Sequence, residues 1–71
     1  MPQRFQSIYI GQQIELTEIK NKNCISGTVI YSFCNYMEII IDSTTKRMFK
    51  YDFLSMSWKS GEQYYEITTT N

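Results

Sequence analysis

Two stretches of the sequence carry residue types that could do chemistry. Lys46-Arg47-Met48-Phe49-Lys50-Tyr51 interleaves cations with aromatic rings. With Lys59 counted, the segment 43–60 sets four cations against Asp52 alone, a local charge of +3. Single-stranded nucleic acid is bound by such sets, because cations meet phosphates and rings stack on bases. Lys46, Arg47, Lys50 and Lys59 are therefore candidate phosphate contacts. Ser43-Thr44-Thr45-Lys46 matches the Ser-x-x-Lys pattern of some acyl-transfer enzymes. That chemistry needs the serine at a helix start with the lysine one turn on, and these four residues read as a hairpin loop. The carboxylates Glu15, Glu18, Glu38, Asp42, Asp52, Glu62 and Glu66 fall mostly on solvent faces or opposite a lysine. No buried acid pair with separated pKa values is expected from them. Glycine occurs only at positions 11, 27 and 61, too sparsely for a phosphate-cradling loop. Histidine is absent, which removes the commonest general base and the commonest metal ligand. The expectation is a non-enzyme with no catalytic residue, no metal and no cofactor.

Cys24 and Cys34 invite a disulfide, but their spacing opposes one. If one strand joins them, at about 3.3 Å per residue their sulfurs stand roughly 30 Å apart. Bridged Cα atoms must lie within about 7 Å. Free thiols are expected, in keeping with a reducing compartment.

The elements that must position these groups follow from composition. In 71 residues there are ten Ile, seven Thr, six Tyr and four Phe, no Ala, and Leu only at 16 and 54. β-branched and aromatic side chains suit a pleated surface, whereas Ala and Leu lead the helix scale. One domain is the ceiling at this length. Net charge is zero, so no global field draws nucleic acid or a membrane surface. The longest purely apolar run is Ile39-Ile40-Ile41, and the first residues lack a signal-peptide pattern. A cytoplasmic location with no membrane contact is expected.

Asn, Lys, Ser and Gly clusters punctuate alternating segments about every ten residues, the rhythm of a small barrel or sandwich. Strands are expected at 12–19, 24–33, 37–41, 46–51, 54–59 and 62–68, with an arm over 1–11, one barrel over 12–68 and a tail over 69–71. Residues 12–19 have an alternative as a short helix, opposed by the two-residue apolar spacing. Matching opposed side chains sets Tyr31 against Ile39 and Phe33 against Met37. It also sets Ile39 against Phe49, Glu38 against Lys50, Asp42 against Lys46, and Lys59 against Glu62. In the first hairpin Leu16 meets Gly27, which suggests a bend that lets the second strand serve two sheets. The fold class expected is all-β: a small SH3-like antiparallel barrel of five to six strands, with a 3₁₀ turn over 52–55. A five-stranded OB-type barrel is the alternative, disfavoured because no room remains for its helix.

This pattern leaves Ile30, Ile40 and Met48 in a row on the outer face, where water is expected. Either the arm, with Phe5, Ile8, Tyr9 and Ile10, folds over the row, or a protein partner or a second copy covers it. Trp58 could grip a peptide, as groove tryptophans do, but its alignment with Met56, Tyr65 and Ile67 favours the core. Phe49 and Tyr51 point inward, and the acidic partners of Lys46 and Lys50 cancel their field. An unknown protein partner or self-association is therefore the first expectation, and single-stranded nucleic acid the second.

Gly11-Gln12-Gln13-Ile14-Glu15-Leu16 and Lys50-Tyr51-Asp52-Phe53-Leu54 give the chain a further reading. In these segments and in its length it resembles the YorP family, small proteins of temperate phages and prophages. The resemblance implies an SH3-like barrel encoded by a phage. It carries no catalytic residue over to this sequence.

Overall fold

A computed structural model describes residues 4–70; residues 1–3 of the expected arm and Asn71 of the expected tail lie outside it. Six strands follow one another: β1 Gln13–Glu18, β2 Cys24–Phe33, β3 Tyr36–Ile41, β4 Thr45–Asp52, β5 Ser57–Ser60 and β6 Gln63–Thr70. Each pairs antiparallel with the next, and β6 returns to β1, so the sheet closes into an SH3-like barrel. Thr69 and Thr70, expected in a tail, belong to β6 and pair with Glu15 and Ile14. Among the described residues no helix is long and apolar enough to cross a membrane.

Alternation builds the core. Ile14, Leu16, Val29, Met37, Ile39, Phe49, Tyr51, Trp58, Tyr65 and Ile67 point inward from the strands, and Ile8 joins them from the arm. Trp58 is a core residue, as its alignment indicated.

The registers differ from those expected, and the turns are the reason. Val29 meets Ile39, Met37 meets Phe49, Leu16 meets Ile25, and Trp58 meets Tyr65. The first, third and last hairpins each slip by two residues. Cys34 takes a φ of 53° and closes β2–β3 in two residues, while Asp42 and Ser43, at 63° and 114°, leave the ladder for the β3–β4 loop. Because the side-chain period is two, a slip of two keeps the faces and changes the partners. Lys50 therefore faces Tyr36 instead of Glu38, Lys46 faces Ile40 instead of Asp42, and Lys59 faces Tyr64 instead of Glu62.

One strand does change faces. Val29 pairs with Ile39 but Tyr31 pairs with Glu38, so Ile30 is an extra residue in β2. Such a bulge reverses the alternation beyond it. Tyr31 and Phe33, expected inside, are 46% and 62% exposed. The arm fills the interior place they vacate. Gly11 N–H donates to Val29 O, and Val29 N–H donates to Gln12 O, each at 2.8 Å. The Ser32 hydroxyl donates to Ile8 O at 2.7 Å, seating the buried Ile8 beside it.

The fifth strand starts three residues later than expected. Residues 53–56 form a hydrogen-bonded turn, not a 3₁₀ helix, and Leu54 is 97% exposed. Gly27 meets Ile14 instead of Leu16. Its role is close approach: a Cβ there would stand 2.8 Å from the Ile40 carbonyl oxygen.

Gly27→Ala should therefore cost about 1–3 kcal/mol in denaturant unfolding, because backbone must move to admit the methyl group. Ile8→Ala should cost about 2–4 kcal/mol by the same measurement, as a buried side chain is lost from the core.

Candidate functional site

The observed registers bring one line of side chains across the outside of the barrel. Phe33 on β2 pairs with Tyr36 on β3, Tyr36 with Lys50 on β4, Lys50 with Lys59 on β5, and Lys59 with Tyr64 on β6. Two lysines stand directly opposite each other with aromatic rings on both flanks. Like charges in that position destabilise a sheet. Neither faces a carboxylate across the ladder, and each ammonium lies near a ring: Lys50 Nζ is 5.4 Å from the Tyr36 ring centre, and Lys59 Nζ 5.6 Å from that of Tyr64. Such contacts stabilise exposed cations by about 0.5–1 kcal/mol.

A cleft of about 470 Å³ opens beside the two lysines, lined also by Asn35, Tyr51, Asp52, Phe53 and Leu54. Its far wall is the turn after β4. Asp52 builds that turn, accepting from Leu54 N–H at Oδ1 (3.2 Å) and from the Ser55 hydroxyl at Oδ2 (2.9 Å). Asn35 braces the floor: its amide donates to Tyr51 O at 2.9 Å, and Tyr51 N–H donates back to Asn35 O at 2.7 Å. Phe5 packs on this corner from the arm, with its ring centre 5.2 Å from Tyr51, 5.8 Å from Phe53 and 5.9 Å from Trp58. Burial, then the neighbouring Asp52 charge, pushes the Tyr51 phenol up, keeping it neutral in the core.

The sequence-derived cations separate into two groups. Lys46, Lys50 and Lys59 are exposed, and Lys46 shares the outer face of β4 with Lys50. Arg47 does not join them. Alternation turns it toward the barrel end, where Nε donates to Ser60 Oγ (3.1 Å) and an Nη donates to the Tyr65 hydroxyl (3.0 Å). Its guanidinium lies 5.4 Å from the Tyr65 ring centre and 5.7 Å from that of Phe49.

The outer apolar row is not formed as expected. Ile40 sits between Thr28 and Lys46, Met48 faces Glu38, and Ile30 occupies the bulge. Ile30 and Ile40 are half-buried, and Met48 is exposed. Ile40 instead edges a second cleft, of about 540 Å³, whose polar wall includes Glu15, Ser26, Thr28, Asp42 and Ser43. Among the described residues no three metal-ligating side chains gather at one point. Both cysteines are free and exposed.

Phe33, Tyr36, Asn35 and Phe53 were not among the sequence-derived candidates. Only the Tyr64-Tyr65 doublet signalled an outward ring, since adjacent strand residues point to opposite faces. Comparison of the chain with protein-family models, curated proteins and solved structures gives no match.

The Ser55 hydroxyl, the Leu54 amide and the Lys59 charge hold the Asp52 carboxyl below its ordinary value. A carboxyl depressed by folding contributes stability above its unfolded pKa and loses it as pH falls through the folded one. In an NMR titration the Leu54 and Ser55 amides should therefore shift with a midpoint below that of an ordinary aspartate. Asp52→Asn should abolish the transition.

Proposed function

We propose that this barrel is a non-enzymatic binding module whose outer face takes single-stranded nucleic acid. The YorP resemblance would make it a phage-encoded factor acting in the host cytoplasm. The opposition of Lys50 and Lys59 is the observation that carries the reading. A sheet stabilised for its own sake avoids facing ammonium groups, and a phosphate between them relieves the repulsion. The rings of Phe33, Tyr36 and Tyr64 lie on the same line, where bases would stack. The sequence alone favours a protein partner because of the row Ile30, Ile40 and Met48, and sets nucleic acid second because Phe49 and Tyr51 point inward and Lys46 and Lys50 are expected opposite acids. The row is not formed, Lys50 stands beside Tyr36 and Lys46 beside Ile40, and the rings on the outer line are Phe33, Tyr36 and Tyr64 in place of the buried Phe49 and Tyr51.

A protein contact stays as the second reading, favoured by one feature: Leu54 is 97% exposed at the tip of a turn beside Phe53. It would use the Phe53–Leu54 corner rather than Ile30, Ile40 and Met48.

Fluorescence anisotropy with a labelled single-stranded oligonucleotide separates the two. Binding should be weak and should fall with salt, with a log–log slope of about −2 if Lys46, Lys50 and Lys59 each meet a phosphate, at about −0.7 per contact. Lys50→Glu with Lys59→Glu should abolish it. Arg47→Gln should lower stability and leave the slope unchanged, because that side chain is engaged within the barrel. An absence of binding at low salt, or binding indifferent to salt, refutes the nucleic-acid reading.

A further inference from the structure

The cleft beside the lysine pair has a polarity that phosphate binding does not explain. A carboxylate in a cationic site opposes an anion, yet Asp52 lines the same cleft as Lys50 and Lys59. It is also fixed in place. The Leu54 N–H donates to one carboxylate oxygen and the Ser55 hydroxyl to the other. A carboxylate offers about four acceptor sites, so the turn orients the group and leaves acceptor capacity for a ligand. The exposed ring of Phe53 stands on the same wall.

We infer that the cleft is a subsite for one unstacked base bearing an exocyclic amino group, with Asp52 accepting from that amine, Phe53 stacking on the base, and Lys50 and Lys59 holding its phosphate. The inference rests on the nucleic-acid reading above and adds a preference to it. Cytosine presents its N4 amine as a donor, and carboxylates accept from it. Thymine and uracil present a carbonyl oxygen at that position, which a carboxylate repels. The volume, about 470 Å³, lies within the range of small-ligand sites. Asp52 is here a specificity residue, while the lysines supply affinity.

The test compares oligo(dC) with oligo(dT) of equal length against the full chain at low salt. Both are pyrimidines, so stacking differs little between them. Oligo(dC) should bind about fivefold tighter or more, the discrimination of one good polar base contact. Asp52→Asn removes a negative charge and should tighten oligo(dT), bringing the ratio close to one. Asparagine supports the same kind of side-chain turn, and circular dichroism verifies that the variant folds. Phe53→Ala should weaken both ligands in proportion. A probe that leaves the protein unaltered is an oligonucleotide of 2-pyrimidinone bases, which lack the 4-amino group; it should lose the advantage of cytosine. Equal binding of oligo(dC) and oligo(dT), or a preference that survives Asp52→Asn, overturns the base subsite and leaves nucleic-acid binding standing. Binding of neither polymer overturns the underlying reading as well.

Discussion

The extra residue at Ile30 governs what this barrel shows to solvent. Before it, β2 sends Val29 inward in step with Ile39. After it, Phe33 and Tyr31 face out, and Ser32 faces the arm. The bulge is held from the other side, because both backbone groups of Val29 bond to the arm at Gly11 and Gln12. The arm is thus part of the barrel's closure. It supplies Ile8 to the interior and sets Phe5 on Tyr51 and Trp58.

The same displacement sets the line of rings and lysines on the outer face. Phe33 could not begin an exposed row if β2 alternated without interruption. Tyr36 meets Lys50 because the β3–β4 loop begins at Asp42, and Lys50 meets Lys59 because β5 starts after the Asp52 turn. Local turn chemistry, not long-range attraction, therefore decides which charges become neighbours. Charge matching across strands would have given a neutral ladder. Cation–ring contacts take its place.

Much of the fold is legible in the sequence because a two-residue period is robust. The limits of β2 follow from its punctuation, and the inward sets on β1, β3 and β4 survive every slip of two. The partners do not survive, because loop positions are fixed by positive φ at Cys34, Asp42 and Ser43, and of these only aspartate is a type enriched there. Nor does any glycine or proline mark the bulge at Ile30. Leu54 and Met56 match a strand pattern, yet the Asp52 side chain captures the backbone first and turns it. Of the site, Lys46, Lys50 and Lys59 were readable as exposed cations. Arg47 shares the inward parity of Phe49 and Tyr51, so alternation separates it from the lysines, but only the structure shows its guanidinium held by Ser60 and Tyr65.

The pairing of β1 with β6 has a consequence of its own. A chain rich in β-branched residues and without net charge is a poor candidate for staying dispersed, since nothing repels one copy from another. Exposed strand edges would let such copies stack through their backbones into fibrils. Closure removes those edges at the cost of one irregular seam, where the ladder shifts between Glu15 and Leu16. Parting that seam would uncover two edges at once. The colloidal life of the protein thus depends on a join between its first and last strands.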